Sequence, residues 1–253
     1  MTPDTEKIDR IRAILFDLHH TITKTNRSPI DIHRMAAESA GFDLSKFDDD
    51  RLREVLDIVV EFLTKFQVEN RVGIHWGKQA EDWLEANRVF IEALGFTDVS
   101  DEQLMEMEKQ WKKILNTYWE SLVEGAKETF EELKNRGYIL GVCTRRFDDP
   151  EKLLREWGIE HLLSTVHYSA VVGYAKPSPF TLLKAAEDIK INPRLCAYVG
   201  NLVNADVEAS LRAEMLPVLT VWSDEKERDI APEGIVVIDR ITELLDIFPG
   251  PPS

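Results

Sequence analysis

Four polar positions in the 253-residue chain follow or interrupt apolar runs that read as buried strands. They are Asp17 after Ala13-Ile14-Leu15-Phe16, Thr144 after Val142-Cys143, Lys176 in Gly173-Tyr174-Ala175-Lys176-Pro177, and the segment from Asn201 to Asp206 after Cys196–Gly200. Asp17 is the candidate nucleophile: a carboxylate beside a cation is favoured in the ionised form that attack requires, and Lys176 is the candidate cation. Lys176 would also neutralise a transferred anionic group. Thr144 offers a hydroxyl, and Arg145 and Arg146 follow it directly. Two guanidinium groups at the end of a strand suit bidentate binding of phosphate or carboxylate, although a solvated loop accounts for them equally well. A lone strand-end aspartate reads as a turn or cap residue. Together the four positions read as a site, because a parallel sheet gathers the carboxyl ends of distant strands at one edge.

His19 lies two residues beyond Asp17. An imidazole titrates near neutrality and can act as acid when charged or as base when neutral, so His19 is a candidate for proton transfer; filling space or bonding the following loop is the alternative. His20 reads as structural, pointing the other way if the strand continues.

The elements that must position these residues follow from periodicity. A strand is expected over 12–18, then a polar connection over 21–27. From Pro29 to about Leu122 only helical patterning occurs. One helix carries Ile32, Met35, Ala36 and Ala40, and a second carries Leu52, Val55, Leu56, Val59, Val60, Leu63 and Phe66. A third is expected to begin near Trp76, and a fourth at the cap Ser100. Between the second and third lies Asn70-Arg71-Val72-Gly73-Ile74-His75-Trp76-Gly77-Lys78, polar, aromatic and glycine-bracketed, in which Arg71 and His75 are candidate substrate contacts. Most other Trp and Met residues at helical spacing read as core of this helical insert. After Gly125 strands and helices alternate: helix 126–136, strand 138–144, helix 150–157, a strand near 165–169, a helix opened by Ser178 and Pro179, strand 196–200, helix 204–213, strands 217–222 and 234–238, and a closing helix 241–248. Such alternation implies an α/β fold with a doubly wound parallel sheet.

Composition narrows the function classes. With 46 acidic against 31 basic residues the formal net charge is −15, a surface that repels nucleic acid and anionic lipid. Any pocket for an anion therefore needs its own Lys and Arg. Cys143 and Cys196 each lie in an apolar run and read as small buried hydrophobes. No apolar run approaches the ~20 residues that span a bilayer, and the first residues lack a signal-peptide pattern, so a cytoplasmic monomer or dimer is expected.

The ordered positions resemble the haloacid dehalogenase superfamily. Ala13-Ile14-Leu15-Phe16-Asp17-Leu18-His19-His20-Thr21 is similar to its first signature, a hydrophobic run, Asp, any residue, Asp, any residue, Thr or Val, with His19 replacing the second aspartate. Val142-Cys143-Thr144 and Gly173-Tyr174-Ala175-Lys176-Pro177-Ser178-Pro179 match the next two. The last, normally Gly-Asp with an acidic residue some places on, stands as Val199-Gly200-Asn201-Leu202-Val203-Asn204-Ala205-Asp206. The resemblance implies a Rossmann-like core over 1–27 and 122–253 and an α-helical cap over 28–121. It implies a hydrolase, phosphatase-type, in which Asp17 forms a covalent intermediate that water cleaves, acting on a small anionic metabolite. Family members hold magnesium with the nucleophile, the backbone carbonyl two residues later and the last-signature aspartate, which map onto Asp17, His19 and Asn201; Asp206 would bind through water or orient Lys176. An amide oxygen in place of a carboxylate weakens the hold on a hard cation, so magnesium dependence is expected to be weakened or lost. Haloacid dehalogenases of the same superfamily act without magnesium. A metal-independent dehalogenase and a catalytically silent binding protein are therefore the rival readings.

Overall fold

The computed structural model describes residues 5–72, 76–77, 79–115, 117, 119–146, 149–168 and 174–251. After a short helix α1 (Thr5–Ile8), the run Ala13–Phe16 forms strand β1, every residue of which is buried. Ala13 and Leu15 pack into one apolar cluster while Ile14 and Phe16 pack into another, as alternation across the pleat requires of a strand covered on both faces.

The chain divides into two compact units, Met1–Lys24 with Ser121–Ser253, and Thr25–Glu120. It crosses between them through β2 (Thr23–Thr25) and β3 (Glu120–Leu122), which pair as a two-stranded ribbon. On one side of the crossing Val123 N–H donates to Ile22 O, and on the other Asn26 N–H donates to Trp119 O. The polar stretch expected as a free connection is thus partly strand.

The second unit is helical: α2 (Pro29–Ser39), α3 (Asp49–Glu69), α4 (Leu84–Ala93) and α5 (Asp101–Leu115). Ser28 caps α2 by accepting from Asp31 N–H while Asp31 returns a bond to the Ser28 amide, and Asp48 caps α3. Leu52, Val55, Phe90, Ile91, Leu104 and Met107 form the buried centre. The third helix begins later than its aromatic spacing predicts: a 3₁₀ turn over Glu81–Trp83 precedes α4, and the Asp82 carboxylate ties the segment ahead into a turn by accepting from the Gly77 and Gln79 amides. Not all the large residues are core, since Trp119 is 52% exposed and Met35 37%.

The other unit continues with α6 (Ala126–Asn135), β4 (Ile139–Thr144), α7 (Glu151–Glu156), β5 (Leu163–Tyr168), α8 (Phe180–Asp188), β6 (Cys196–Gly200), α9 (Glu208–Arg212), β7 (Leu216–Thr220), β8 (Val236–Ile238) and α10 (Leu244–Ile247). Its six strands are parallel in the order β5-β4-β1-β6-β7-β8. β1 lies between β4 and β6, where the strand order reverses, and the carboxyl ends of these three strands open onto the switch point of the sheet. Among the described residues no helix is long and apolar enough to cross a membrane.

His33 on α2 donates from Nδ1 to Pro29 O at 2.7 Å, and its ring lies 5.4 Å from Phe90 and 6.2 Å from Trp111. Burial pushes its pKa below the usual histidine value, outweighing the bond to Pro29. The unfolded chain then binds a proton that the folded unit resists, so stability is complete above the ordinary histidine pKa of about 6.5 and falls as pH drops below it. The urea midpoint of the wild type is expected to fall between about pH 7.5 and about pH 5.5, and to fall less in His33→Gln. Equal falls would remove His33 as the cause.

Candidate functional site

Asp17 continues β1 by one residue, its amide donating to Val199 O at 2.8 Å, and its carboxylate is buried at the carboxyl end of the strand. The strand goes no further. His20 has φ 57°, in the left-handed region, so the expected inside-outside alternation to His20 does not occur; the chain turns, with Ile22 and Thr23 amides both donating to Leu18 O. Trp222, just past β7, fixes this turn through Nε1–H to Thr21 O at 3.0 Å.

Lys176 reaches Asp17 from the loop before α8. Its Nζ donates to Asp17 Oδ1 at 2.6 Å, to Asp206 Oδ1 at 2.5 Å and to the Tyr198 hydroxyl at 2.8 Å. An ammonium has three protons, and this tripod uses all of them. Burial alone would lower the lysine pKa, but the facing Asp17 and Asp206 carboxylates outweigh it and raise it, so the group stays charged. Tyr198 is buried in β6 and donates onward to Cys143 O at 2.8 Å. Burial first, then the neighbouring Asp206 and Asp17, hold its phenol far above the usual range and therefore protonated. Tyr198 escaped the sequence reading because it sits in an apolar strand as an ordinary core aromatic. Its only advance signal was the polar oxygen that a buried tyrosine must satisfy.

The segment after β6 departs from the expected helix over 204–213. Residues Val203–Val207 form a widened π turn, in which Val207 N–H donates to Leu202 O at 3.2 Å, before α9 begins. The widening turns Asp206 inward over Gly200, where its Oδ2 accepts from the Asn201 and Leu202 amides, each at 3.0 Å. Gly200 is required here: a Cβ would stand 2.3 Å from Asp206 Cβ. Asn201 Oδ1 faces Thr21 Oγ1 at 3.3 Å, and the same hydroxyl is 3.5 Å from Asp17 Oδ2.

Thr144 is buried at the end of β4. Arg145 acts on the cluster through its charge, which opposes protonation of Lys176 and favours ionisation of Tyr198. Arg146 Nη1 lies 2.7 Å from His19 Nε2. A guanidinium has no lone pair to offer, so in this contact His19 Nε2 accepts. Asp17, His19, Thr144, Arg145, Arg146, Lys176, Asn201 and Asp206 are all in the α/β unit. Arg71 belongs to the helical unit, exposed with φ 50° beyond α3, and His75 lies outside the described residues. Cys143 and Cys196 are buried free thiols, each pushed up to about 12 by burial.

The donors do not suit a hard dication. Among the described residues no group of three or more His, Cys, Asp or Glu converges. Both Asp206 oxygens already accept, one from Lys176 and the other from two amides. What remains is one Asp17 oxygen with two neutral donors, the Asn201 amide and the His19 backbone carbonyl, a set with a single carboxylate where magnesium favours more. Charge argues the same way, since Lys176 already pairs with both Asp17 and Asp206.

The chain matches the family model "haloacid dehalogenase-like hydrolase" over residues 11–214. It is 22% identical over 249 residues to the glyceraldehyde 3-phosphate phosphatase of Pyrococcus furiosus, covering 94% of this chain and 93% of that one. Among solved structures it is similar to a β-phosphoglucomutase from Clostridium difficile, with TM-score 0.57, 17% identity and coverage of 94% and 97%. It is also similar to a 2-haloacid dehalogenase from Pseudomonas syringae pv. Tomato, with TM-score 0.53, 17% identity and coverage of 94% and 98%. These structural likenesses show the fold, one scaffold with several chemistries.

Removing the Tyr198 hydroxyl leaves one ammonium proton and one buried carbonyl without a partner. Tyr198→Phe is therefore expected to fold but to lose about 1–3 kcal/mol in urea unfolding. An unchanged midpoint would show that the tripod does not need its third leg.

Proposed function

The chain belongs to the haloacid dehalogenase-like hydrolases, and on that premise we propose that it is a phosphoric monoester hydrolase that forms a covalent Asp17 intermediate on a small anionic metabolite without a metal. The observation that carries this reading is the buried Asp17 carboxylate, held at 2.6 Å by a charged Lys176 at the switch point of a parallel sheet. Phosphatase-named relatives support the phosphoryl chemistry.

Asp17 attacks phosphorus, its oxygen–phosphorus bond forming as the bond to the leaving oxygen breaks. Water then attacks phosphorus, the Asp17–phosphorus bond breaks, and inorganic phosphate leaves with the carboxylate restored. Lys176 keeps Asp17 ionised and oriented, and its charge together with that of Arg145 offsets the negative charge of the phosphoryl group. Asp206 fixes Lys176 rather than touching substrate. Arg146 moves from His19 to a phosphoryl oxygen when substrate binds, which frees His19 Nε2 to take the proton of the attacking water. Magnesium is general among phosphatases of this family, but the donor set here does not fit it, and no step needs it.

One feature favours a second reading. Asn201 replaces a carboxylate with a neutral amide, an arrangement compatible with metal-free dehalogenation at carbon.

Purified protein is expected to hydrolyse p-nitrophenyl phosphate equally with and without EDTA, and Asp17→Asn to lower kcat at least about 10³-fold. Asn201→Asp is expected to introduce stimulation by magnesium. Chloride release from 2-chloropropionate without phosphate release would favour the dehalogenase, turnover untouched by Asp17→Asn would remove the nucleophile, and no turnover of any substrate would leave a binding protein.

A further inference from the structure

Two side chains of one loop reach the two segments that carry the acidic groups of the cluster. The loop joins β7 to β8, one strand away from the segment after β6 and two strands away from the turn after β1. Trp222 sends its Nε1–H to Thr21 O at 3.0 Å, and five residues later Glu227 Oε2 accepts from Val203 N–H at 2.7 Å.

Both segments run past the ends of their strands. After the ladder bond of Asp17 the chain turns through His20 at φ 57°, a left-handed conformation that a residue with a side chain keeps only where its surroundings impose it. The Trp222 bond falls on the next residue, and the indole ring lies 6.5 Å from the His20 ring. A long rigid ring with a donor at its edge can fasten a turn two strands away. Thr21, so held, sets its hydroxyl 3.5 Å from Asp17 Oδ2 and 3.3 Å from Asn201 Oδ1.

The segment after β6 opens its π turn with three successive amides that have no helical partner. Asp206 Oδ2 takes those of Asn201 and Leu202, and Glu227 takes the third. The third belongs to a planar peptide whose other side is Leu202 O, which accepts from Asp206 N–H at 2.8 Å and Val207 N–H at 3.2 Å. Holding one side of that plane therefore aims the carbonyl that forms the π turn, and the π turn brings Asp206 onto Lys176. The loop is itself stiffened. Val221 N–H donates to Ile238 O at 3.1 Å, Asp224 caps the 3₁₀ turn Glu225–Arg228, and Arg228 bonds Glu225 and Asp239.

We propose that Trp222 and Glu227 are positioning residues for hydrolysis, and that the β7–β8 loop is a brace that sets Asp17 and Lys176 for attack. Trp222 acts through Thr21 on the nucleophile's carboxylate, and Glu227 acts through the Val203 peptide and Asp206 on the lysine. The assignment rests on the hydrolase reading and adds to it two residues that do not touch the reacting atoms.

The test compares the full chain with Trp222→Phe, which keeps a ring and loses the donor, Glu227→Ala, which loses the acceptor, and Glu227→Gln, which keeps an acceptor oxygen. With p-nitrophenyl phosphate, Trp222→Phe and Glu227→Ala are each expected to lower kcat about 10–10²-fold with KM within about twofold, and Glu227→Gln to recover most of the loss. Should either variant fail to fold, Asp224→Ala, which uncaps the loop and leaves both side chains in place, is expected to lower kcat in the same direction. A second readout needs no turnover. Amide hydrogen exchange is expected to quicken roughly tenfold at Asn201 and Leu202 in Glu227→Ala, and at Ile22 and Thr23 in Trp222→Phe. None of these four amides bonds to the replaced side chain, so unchanged exchange would overturn the proposal whatever the activity. Wild-type kcat in both variants would overturn it too, as would a rise in KM at constant kcat, which would make the two residues substrate contacts. Wild-type protein that cleaves no ester would overturn the hydrolase reading, and exchange would still decide whether the loop holds the two segments.

Discussion

A lysine ammonium buried between two carboxylates and a phenol is the constraint around which the α/β unit is arranged. Taking a cation out of water costs several kcal/mol, recovered only when partners surround it in good geometry, and removing one partner of such a cluster costs about 3–5 kcal/mol. Lys176 meets the condition with Asp17, Asp206 and Tyr198. Each partner in turn has its own support. Asp17 is carried by the ladder bond to Val199, Asp206 by the π turn and two amides, and Tyr198 by the carbonyl at the end of β4. Three strands and one loop are thereby tied to a single nitrogen.

The same closure explains how an anion could be held by a protein with net charge −15. The acidic surface produces a long-range field that opposes an incoming phosphate. Inside, the two carboxylates of the cluster both pair with Lys176, and Arg145, just past β4, adds a second positive charge that acts on the cluster. Two carboxylates facing two cations leave the cluster near neutral, so it adds little to the acidic field outside.

The fold was legible because its signal is repetitive. Uninterrupted apolar runs such as Ala13–Phe16 and Cys196–Gly200 can only be strands covered on both faces, and the switch to a 3.6-residue period at Pro29 marks the helical unit. Asp17, Thr144 and Lys176 stood out as polar residues at the ends of such runs. What stayed hidden depends on contacts between distant residues. Nothing in the local pattern reports that Asp82 ties up the segment ahead of α4, that the Asn201–Asp206 segment widens by one residue to turn Asp206 inward, or that a core tyrosine serves as the lysine's third acceptor. His20 misled because alternation was carried past the last ladder bond into a left-handed turn. The pairing of Arg146 with His19 joins residues far apart in sequence, and only the sheet brings them together.

The paired strands β2 and β3 make the whole of Thr25–Glu120 the loop of a hairpin, as the parallel sheet sees it. Loop-closure entropy grows only with the logarithm of length, so a hairpin that already closes at its stem is nearly indifferent to what lies beyond. Chain can be added to, removed from or exchanged in that loop with little effect on the register of the strands that hold Asp17. The scaffold can therefore keep one cluster of charges fixed while the segment mounted on the ribbon diverges.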